Sequence, residues 1–250
     1  MRKRLTDKIA VITGGASGIG QACAIRFAEE GADIVVADLN PCDATIGMIE
    51  ALGRRAVGVA VDTTSDADCQ NMVDEAVRHF GRADIGVMSA GLLHAPQTIV
   101  GLDTAEFQKI LNVNLTGVMR SARALAGQML KQGKGGSIVN IASSAGHIPI
   151  AGSGSYCVSK AGVIMLTKVM AMELAQSGVR VNAVGPGFTA TPMWNPATDS
   201  EEHRWAMDLT PMRRSGTPRE QADACLYLAS DESSFVTGQV LFPAGGQFTG

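Results

Sequence analysis

The chain has 250 residues, 46% of them hydrophobic, which suits one well-buried domain spanning 1–250. Its formal net charge of −3, without a large basic cluster, excludes a nucleic-acid footprint, and the apolar stretch Ile9 to Ile12 is too short for a signal segment or a membrane span. Cys23, Cys42, Cys69, Cys157 and Cys225 are scattered, with no Cys-x-x-Cys and no Cys/His group at metal-ligand spacing, so no metal is expected and a reducing cytoplasm is.

A short apolar run at 8–13 reads as the first strand. It leads into Thr13-Gly14-Gly15-Ala16-Ser17-Gly18-Ile19-Gly20 and a helix-patterned segment at 19–30. Glycine backbone turns tightly and lets a pyrophosphate approach, while the helix start offers unpaired N–H groups and the positive end of its dipole. Gly14, Ser17, Gly18, Ile19 and Gly20 are therefore candidate cofactor-binding residues. The spacing is Gly-x-x-x-Gly-x-Gly rather than Gly-x-Gly-x-x-Gly, and an ordinary glycine-rich turn would look the same.

The next run, 32–38, ends at Asp38, eighteen residues after Gly20. A carboxylate there can accept hydrogen bonds from an adenosine ribose and would repel the 2′-phosphate of NADP. No Lys or Arg between Gly14 and Gly20 offsets that repulsion. The predicted cofactor is NAD.

Further strand-like runs follow at 55–62, 83–90, 136–143, 179–186 and 239–245, with helical patterns at 44–52, 67–80, 104–130, 155–176 and 219–230. Seven almost continuously apolar runs alternating with helices predict an α/β fold, a Rossmann-like doubly wound parallel sheet of seven strands. The segment 189–217 breaks the alternation, with several prolines, Trp194 and Trp205. It reads as a small inserted lobe that covers substrate at the carboxyl edge of the sheet. Met193 and Trp194 suit either an apolar lid or packing within that lobe.

Within the 155–176 helix, Tyr156 and Lys160 stand four residues apart and share one face. A free phenol, with a pKa of ~10, is a poor proton donor or acceptor near neutrality. A neighbouring ammonium favours the phenolate, so the pair reads as a tuned acid/base. Of the four histidines no two have metal-site spacing. His94 and His147 each either face substrate or hydrogen-bond within a loop.

With Thr13 to Gly20 and Tyr156-Cys157-Val158-Ser159-Lys160 both in place, the chain resembles the classical short-chain dehydrogenases/reductases. The resemblance runs through NVNLTG (112–117), GSIVNIASSAG (136–146) and VNAVGPGFTATPM (181–193). It implies an NAD(P)-dependent oxidoreductase acting on a small-molecule alcohol or ketone, usually as a homotetramer or homodimer. By the same resemblance the catalytic serine, tyrosine, lysine and asparagine fall on Ser143, Tyr156, Lys160 and Asn114. Asp62 and Thr63 are placed near the adenine, Ala90 and Gly91 beside the cofactor, and Pro186, Gly187, Thr189 and Thr191 at the nicotinamide carboxamide. Lys160 would also bond the nicotinamide ribose, and Asn114 would hold a water linking Lys160 to solvent.

Two departures stand out. The family's Asn-Asn-Ala-Gly is here Met88-Ser89-Ala90-Gly91, and its Asp-Gly-Gly near the C-terminus is Ala244-Gly245-Gly246. The leading expectation is interconversion of a secondary alcohol and a ketone with Tyr156 as acid/base. A 3-oxoacyl-(acyl-carrier) reductase is the alternative enzyme, and a non-catalytic dinucleotide-binding sensor is the alternative of another class.

Overall fold

Each of the seven apolar runs contributes a strand to one sheet in the computed structural model, which describes residues 3–248. The chain order is β1 (Ile9–Thr13), α1 (Gly18–Glu29), β2 (Asp33–Asp38), α2 (Asp43–Ala51), β3 (Ala56–Ala60), α3 (Asp66–Phe80) and β4 (Ile85–Met88). Then come α4 (Thr104–Leu111), a π-helical turn (Asn112–Gly117), α5 (Val118–Gln132), β5 (Gly136–Ile141) and α6 (Gly154–Leu174). The chain closes with β6 (Val179–Val184), α7 (Glu201–Asp208), α8 (Pro218–Ala229) and β7 (Val240–Leu241). The strands are all parallel, in the order β3-β2-β1-β4-β5-β6-β7.

Alternation along each strand explains why both faces are buried. In β1, Ala10 and Ile12 join a core with Phe27 of α1, Ile49 of α2 and Leu226 of α8. Val11 points the other way, to Met72 of α3, Leu125 of α5 and Val163 of α6. The strand order reverses between β1 and β4, which opens a crevice at their carboxyl ends.

The structure departs from the sequence expectation in two elements. The helix expected over 104–130 is split by the π-helical turn. Side-chain contacts from other elements hold that turn: Asn114 is tied to the main chain of Leu92, and Gly117 packs on Thr63. In 189–217 the chain forms isolated bridges Thr189–Gly216 and Thr191–Trp194 but also the helix α7. Eight residues are too few for a clear period, yet the Ser200 hydroxyl accepts from the N–H of His203 and starts the helix. Among the described residues no helix is long and apolar enough to cross a membrane, and no three side chains form a metal-ligand group.

Candidate active site

The turn after β1 is shaped by close backbone approach. Gly14 has φ +66°, and a Cβ there would lie 2.9 Å from the amide nitrogen of Ala90. A Cβ on Gly20 would collide with the carbonyl of Gly14. Both positions therefore demand glycine. Ser17 precedes α1 in extended conformation and makes no capping bond with its side chain, so the N–H groups at the start of Gly18 and Ile19 stay available to an anion. Across the crevice, Thr191 and Pro192 lie 3.6–3.8 Å from the point where a Gly18 Cβ would be.

Asp38 ends β2 beside this turn. Its Oδ2 accepts from the N–H of Ala16 at 3.0 Å, and Oδ1 accepts from the N–H and Nδ2 of Asn40 at 2.9 and 3.1 Å. These bonds aim the carboxylate while leaving acceptor capacity for a sugar hydroxyl. Past β3, the Thr64 N–H and hydroxyl both donate to Asp62 at 2.8 Å and, with Arg120 nearby, hold its carboxyl below its ordinary range. Thr63 is buried against Gly117. The residues present thus fit a dinucleotide: a tight glycine cradle, an open helix start and, bonded to the Ala16 N–H of that turn, a carboxylate with spare acceptor capacity.

The Thr13 hydroxyl accepts from the N–H groups of Ser89 and Ala90 at 3.0 and 3.2 Å. This clamp keeps the Ala90-Gly91 backbone at the crevice although Ser89 replaces the family's asparagine. In the sheet Asn140 pairs with Met88, and its buried amide oxygen has no partner.

Asn114 and Lys160 meet beneath Gly91, with Tyr156 beside Lys160 and Ser143 beside Tyr156. A Cβ on Gly91 would stand 3.4 Å from Asn114 Oδ1 and 3.8 Å from Lys160 Nζ. Lys160 is 5% exposed, and its Nζ lies 5.6 Å from the centre of the Tyr156 ring. One of its three N–H donors goes to the carbonyl of Ile141 at 2.8 Å. Burial lowers the Lys160 pKa to about 8. Burial also pushes the Tyr156 phenol up, and the neighbouring Ser143 hydroxyl pulls it the other way. The tuning expected from charge alone is therefore offset, because the ammonium is buried and the phenol is partly buried. Ser143 Oγ accepts from the N–H of Ala145 at 3.1 Å, which orients the hydroxyl at the turn after β5.

Asn114 is fully buried, and its amide is committed. Oδ1 accepts from the N–H of Leu92 at 2.7 Å; Nδ2 donates to the Leu92 carbonyl at 2.8 Å and to Ser159 Oγ at 3.3 Å. Ser159 in turn donates to the carbonyl of Tyr156 at 2.7 Å. Both N–H donors of the Asn114 amide are thereby engaged, so a relay water at this side chain would have to donate to the second lone pair of Oδ1. The side chain also ties the loop after β4 to the helix that bears Tyr156.

The expected substrate residues separate. His94 sits in that loop, with Nδ1 2.6 Å from the carbonyl of Ala95 and Nε2 buried without a partner. His147 packs on Phe242 and Phe248, with ring centres at 5.3 and 4.8 Å, and belongs to an aromatic cluster. Trp194 packs on Phe188 at 4.9 Å and donates from its indole to Glu202 at 3.1 Å, tying it to α7. Met193 is exposed. Pro186 and Gly187 follow β6 beside the Ser143 turn, where the Pro186 carbonyl accepts from the N–H of Ser144 at 2.8 Å. Thr189 is buried, and its hydroxyl donates to the Gly187 carbonyl at 3.0 Å. Sequence reasoning missed Thr13, Leu92, Ile141 and Ser159. Only Thr13, at a strand end before the glycines, carried a readable signal; the others act through main-chain atoms or a packed hydroxyl.

A family model described as enoyl-(acyl carrier protein) reductase matches residues 14–247. The chain is 38% identical to the (2S)-[(R)-hydroxy(phenyl)methyl]succinyl-CoA dehydrogenase subunit of Thauera aromatica, over 97% of each chain. It is also 38% identical to a 3-oxoacyl-[acyl-carrier-protein] reductase of Thermotoga maritima, over 97% of this chain and 98% of the other. Among solved structures, a carveol dehydrogenase from Mycobacterium avium in complex with NAD superposes with a TM-score of 0.93 at 30% identity, covering 98% of this chain and 99% of that one.

Proposed function

Because the chain belongs to the classical short-chain dehydrogenase/reductase family, we propose that it is an NAD-dependent oxidoreductase interconverting a secondary alcohol and a ketone. The observation that carries this reading is Lys160 beside the Gly91 backbone with the Tyr156 ring next to it and the Ser143 hydroxyl next to the phenol, at the crevice where the glycine turn and Asp38 also meet.

When bound, the nicotinamide supplies hydride transfer. The chain does the rest. The N–H groups of α1 and the Gly14 to Gly20 turn hold the pyrophosphate, and Asp38 accepts from the adenosine ribose. Asp62 and Thr63 line the adenine side, the Ala90-Gly91 backbone lies beside the cofactor, and Pro186, Gly187, Thr189 and Thr191 line the carboxamide side. In oxidation Tyr156 takes the alcohol proton; in reduction it returns one to the ketone oxygen. Ser143 donates to that oxygen where charge develops, a contribution of ~3 kcal/mol to the transition state. Lys160 keeps two donors for the cofactor ribose and for stabilising the phenolate. His94, with an unpartnered ring nitrogen, is a candidate contact for a polar substrate group.

The whole chain works as one catalytic domain, with 189–217 over the substrate. Cytoplasmic placement is supported by five free cysteines, four of them buried. A homotetramer, or a homodimer, is supported by an exposed apolar stripe on α6.

The 3-oxoacyl reductase alternative is favoured by the Thermotoga relative and weighed against by Asp38, which disfavours NADP. One experiment separates the readings. Turnover is followed by nicotinamide absorbance with cyclic, aromatic, polyol and steroid alcohols using NAD and NADP in parallel, and with an acyl-thioester ketone using NADH and NADPH. A higher kcat/KM with NAD on a secondary alcohol is expected, and Tyr156→Phe abolishes it while sparing NAD binding. A higher kcat/KM with NADP overturns the cofactor preference, and near-normal turnover by Tyr156→Phe overturns the acid/base role. NAD binding without turnover of any substrate, in either direction, would restore the sensor reading.

A further inference from the structure

Three elements that frame the proposed reaction meet at one side chain near the C-terminus. Gln247 Oε1 accepts from the hydroxyl of Ser144 at 3.3 Å, the residue directly after Ser143. Its Nε2 donates to the hydroxyl of Thr210 at 3.1 Å, just past α7. The same Oε1 lies so close to Gly187 that any side chain there would collide with it. Gln247 therefore touches the turn of Ser143, the stretch after β6 and the end of the 189–217 segment.

The hydrogen-bond polarity is set by chemistry. The buried Thr210 hydroxyl donates to the Ala206 carbonyl at 2.8 Å, so its oxygen can only accept from Gln247. That fixes which end of the amide is Nε2, and the opposite end must then be the acceptor that faces Ser144. The result is a directed chain, Ser144 to Gln247 to Thr210 to Ala206, which neither a shorter amide nor a carboxylate can reproduce. The flanking backbone reinforces it. The N–H of Met212 donates to the Gly245 carbonyl at 3.0 Å, and Gln221 Nε2 donates to the Pro243 carbonyl at 3.0 Å.

We propose that Gln247 is a positioning residue, coupling the placement of α7 to that of the Ser143 turn. It touches neither the reacting atoms nor the cofactor cradle of Gly14 to Gly20. It acts through Ser144, whose main chain is also tied to Pro186. Movement of the segment over the substrate then shifts the hydroxyl that meets the substrate oxygen, and docking of that segment holds it in place.

The inference rests on the proposed oxidoreductase reading for its rate effect, and the test separates the two. Gln247→Met keeps length and volume but loses both bonds, and Thr210→Val removes the partner hydroxyl. Each single variant is expected to lower kcat for a secondary alcohol about tenfold, since small misplacements of reacting groups have large effects, with a smaller change in KM for NAD, to which Gln247 connects only through Gly187. The double variant is expected to be no slower than the slower single variant, because both cut one chain. An unchanged kcat in Gln247→Met, or effects that multiply in the double variant, would overturn the proposal. Amide hydrogen exchange supplies an arm that needs no turnover. Gln247→Met is expected to speed exchange in both 144–148 and 201–212, and protection equal to wild type in either stretch would overturn the coupling. Absence of turnover in the wild-type chain would count against the oxidoreductase reading alone, and exchange would still decide the role of Gln247.

Discussion

Lys160 shows most directly how a single residue serves the site at the expense of the fold. It is buried with no carboxylate partner, and desolvation brings it from 10.5 to about 8. A folded pKa below the unfolded one means that the folded chain binds fewer protons between these values. Stability therefore rises with pH from about 8 to 10.5, and the full penalty of the buried charge is present below pH 8. The linkage amounts to roughly 3 kcal/mol, partly offset by the bond to Ile141. Lys160→Met is expected to be about 1–2 kcal/mol more stable than wild type at pH 7. By pH 9.5, still below the raised titration of Tyr156, that advantage should have narrowed. Urea denaturation at the two pH values measures it, and a pH-independent difference would show that the ammonium is not desolvated. A charge retained at such a position is consistent with its proposed work on the phenolate and the ribose.

Among the elements, α1 and α8 pack together and divide two tasks between them. The N-terminus of α1 faces the crevice, and its approach depends on Gly20 lying against the Gly14 carbonyl. Gly20→Ala forces these backbones apart at a cost of about 1–3 kcal/mol, and it should weaken NAD binding at the same time. α8 begins with a capping box, in which the Thr217 hydroxyl accepts from the N–H of Glu220 and the Glu220 carboxylate accepts from the N–H of Thr217. Thr217→Ala should cost about 1 kcal/mol and leave NAD affinity unchanged, because the cap lies outside the crevice. Calorimetry with and without NAD distinguishes them. Equal NAD affinity in Gly20→Ala and wild type would remove the glycine turn from the cofactor site.

For the whole molecule, the unsatisfied surface is a stripe on α6. Val158, Met165, Val169 and Met172 share one helical face, and Met172 is 83% exposed. Apolar side chains repeated along a helix this way favour contact with another apolar surface over water. Sedimentation is expected to give an assembly of four or two chains, and Met172→Glu should shift it to a smaller species. A wild-type chain that sediments as a monomer would refute the assembly.

Much of this protein was legible along the chain because the signals are local. Alternating apolar runs and helical periods define the parallel sheet, since each strand must bury both faces. The spacing of Gly14, Gly18 and Gly20 marks the turn, the strand end places Asp38, and the i, i+4 relation of Tyr156 and Lys160 puts both on one helix face. Other features depend on contacts between residues far apart in sequence. The π-helical turn, the engagement of Asn114 with Leu92, the Lys160 bond to Ile141 and the bridge through Gln247 all involve main-chain groups or partners with no periodic trace. The same holds for the balance of charge. Sequence spacing predicted an ammonium beside a phenol and so a lowered phenol pKa; only the tertiary structure showed that packing buries the ammonium and partly desolvates the phenol, because desolvation depends on everything that surrounds a group and not on its neighbours in the chain.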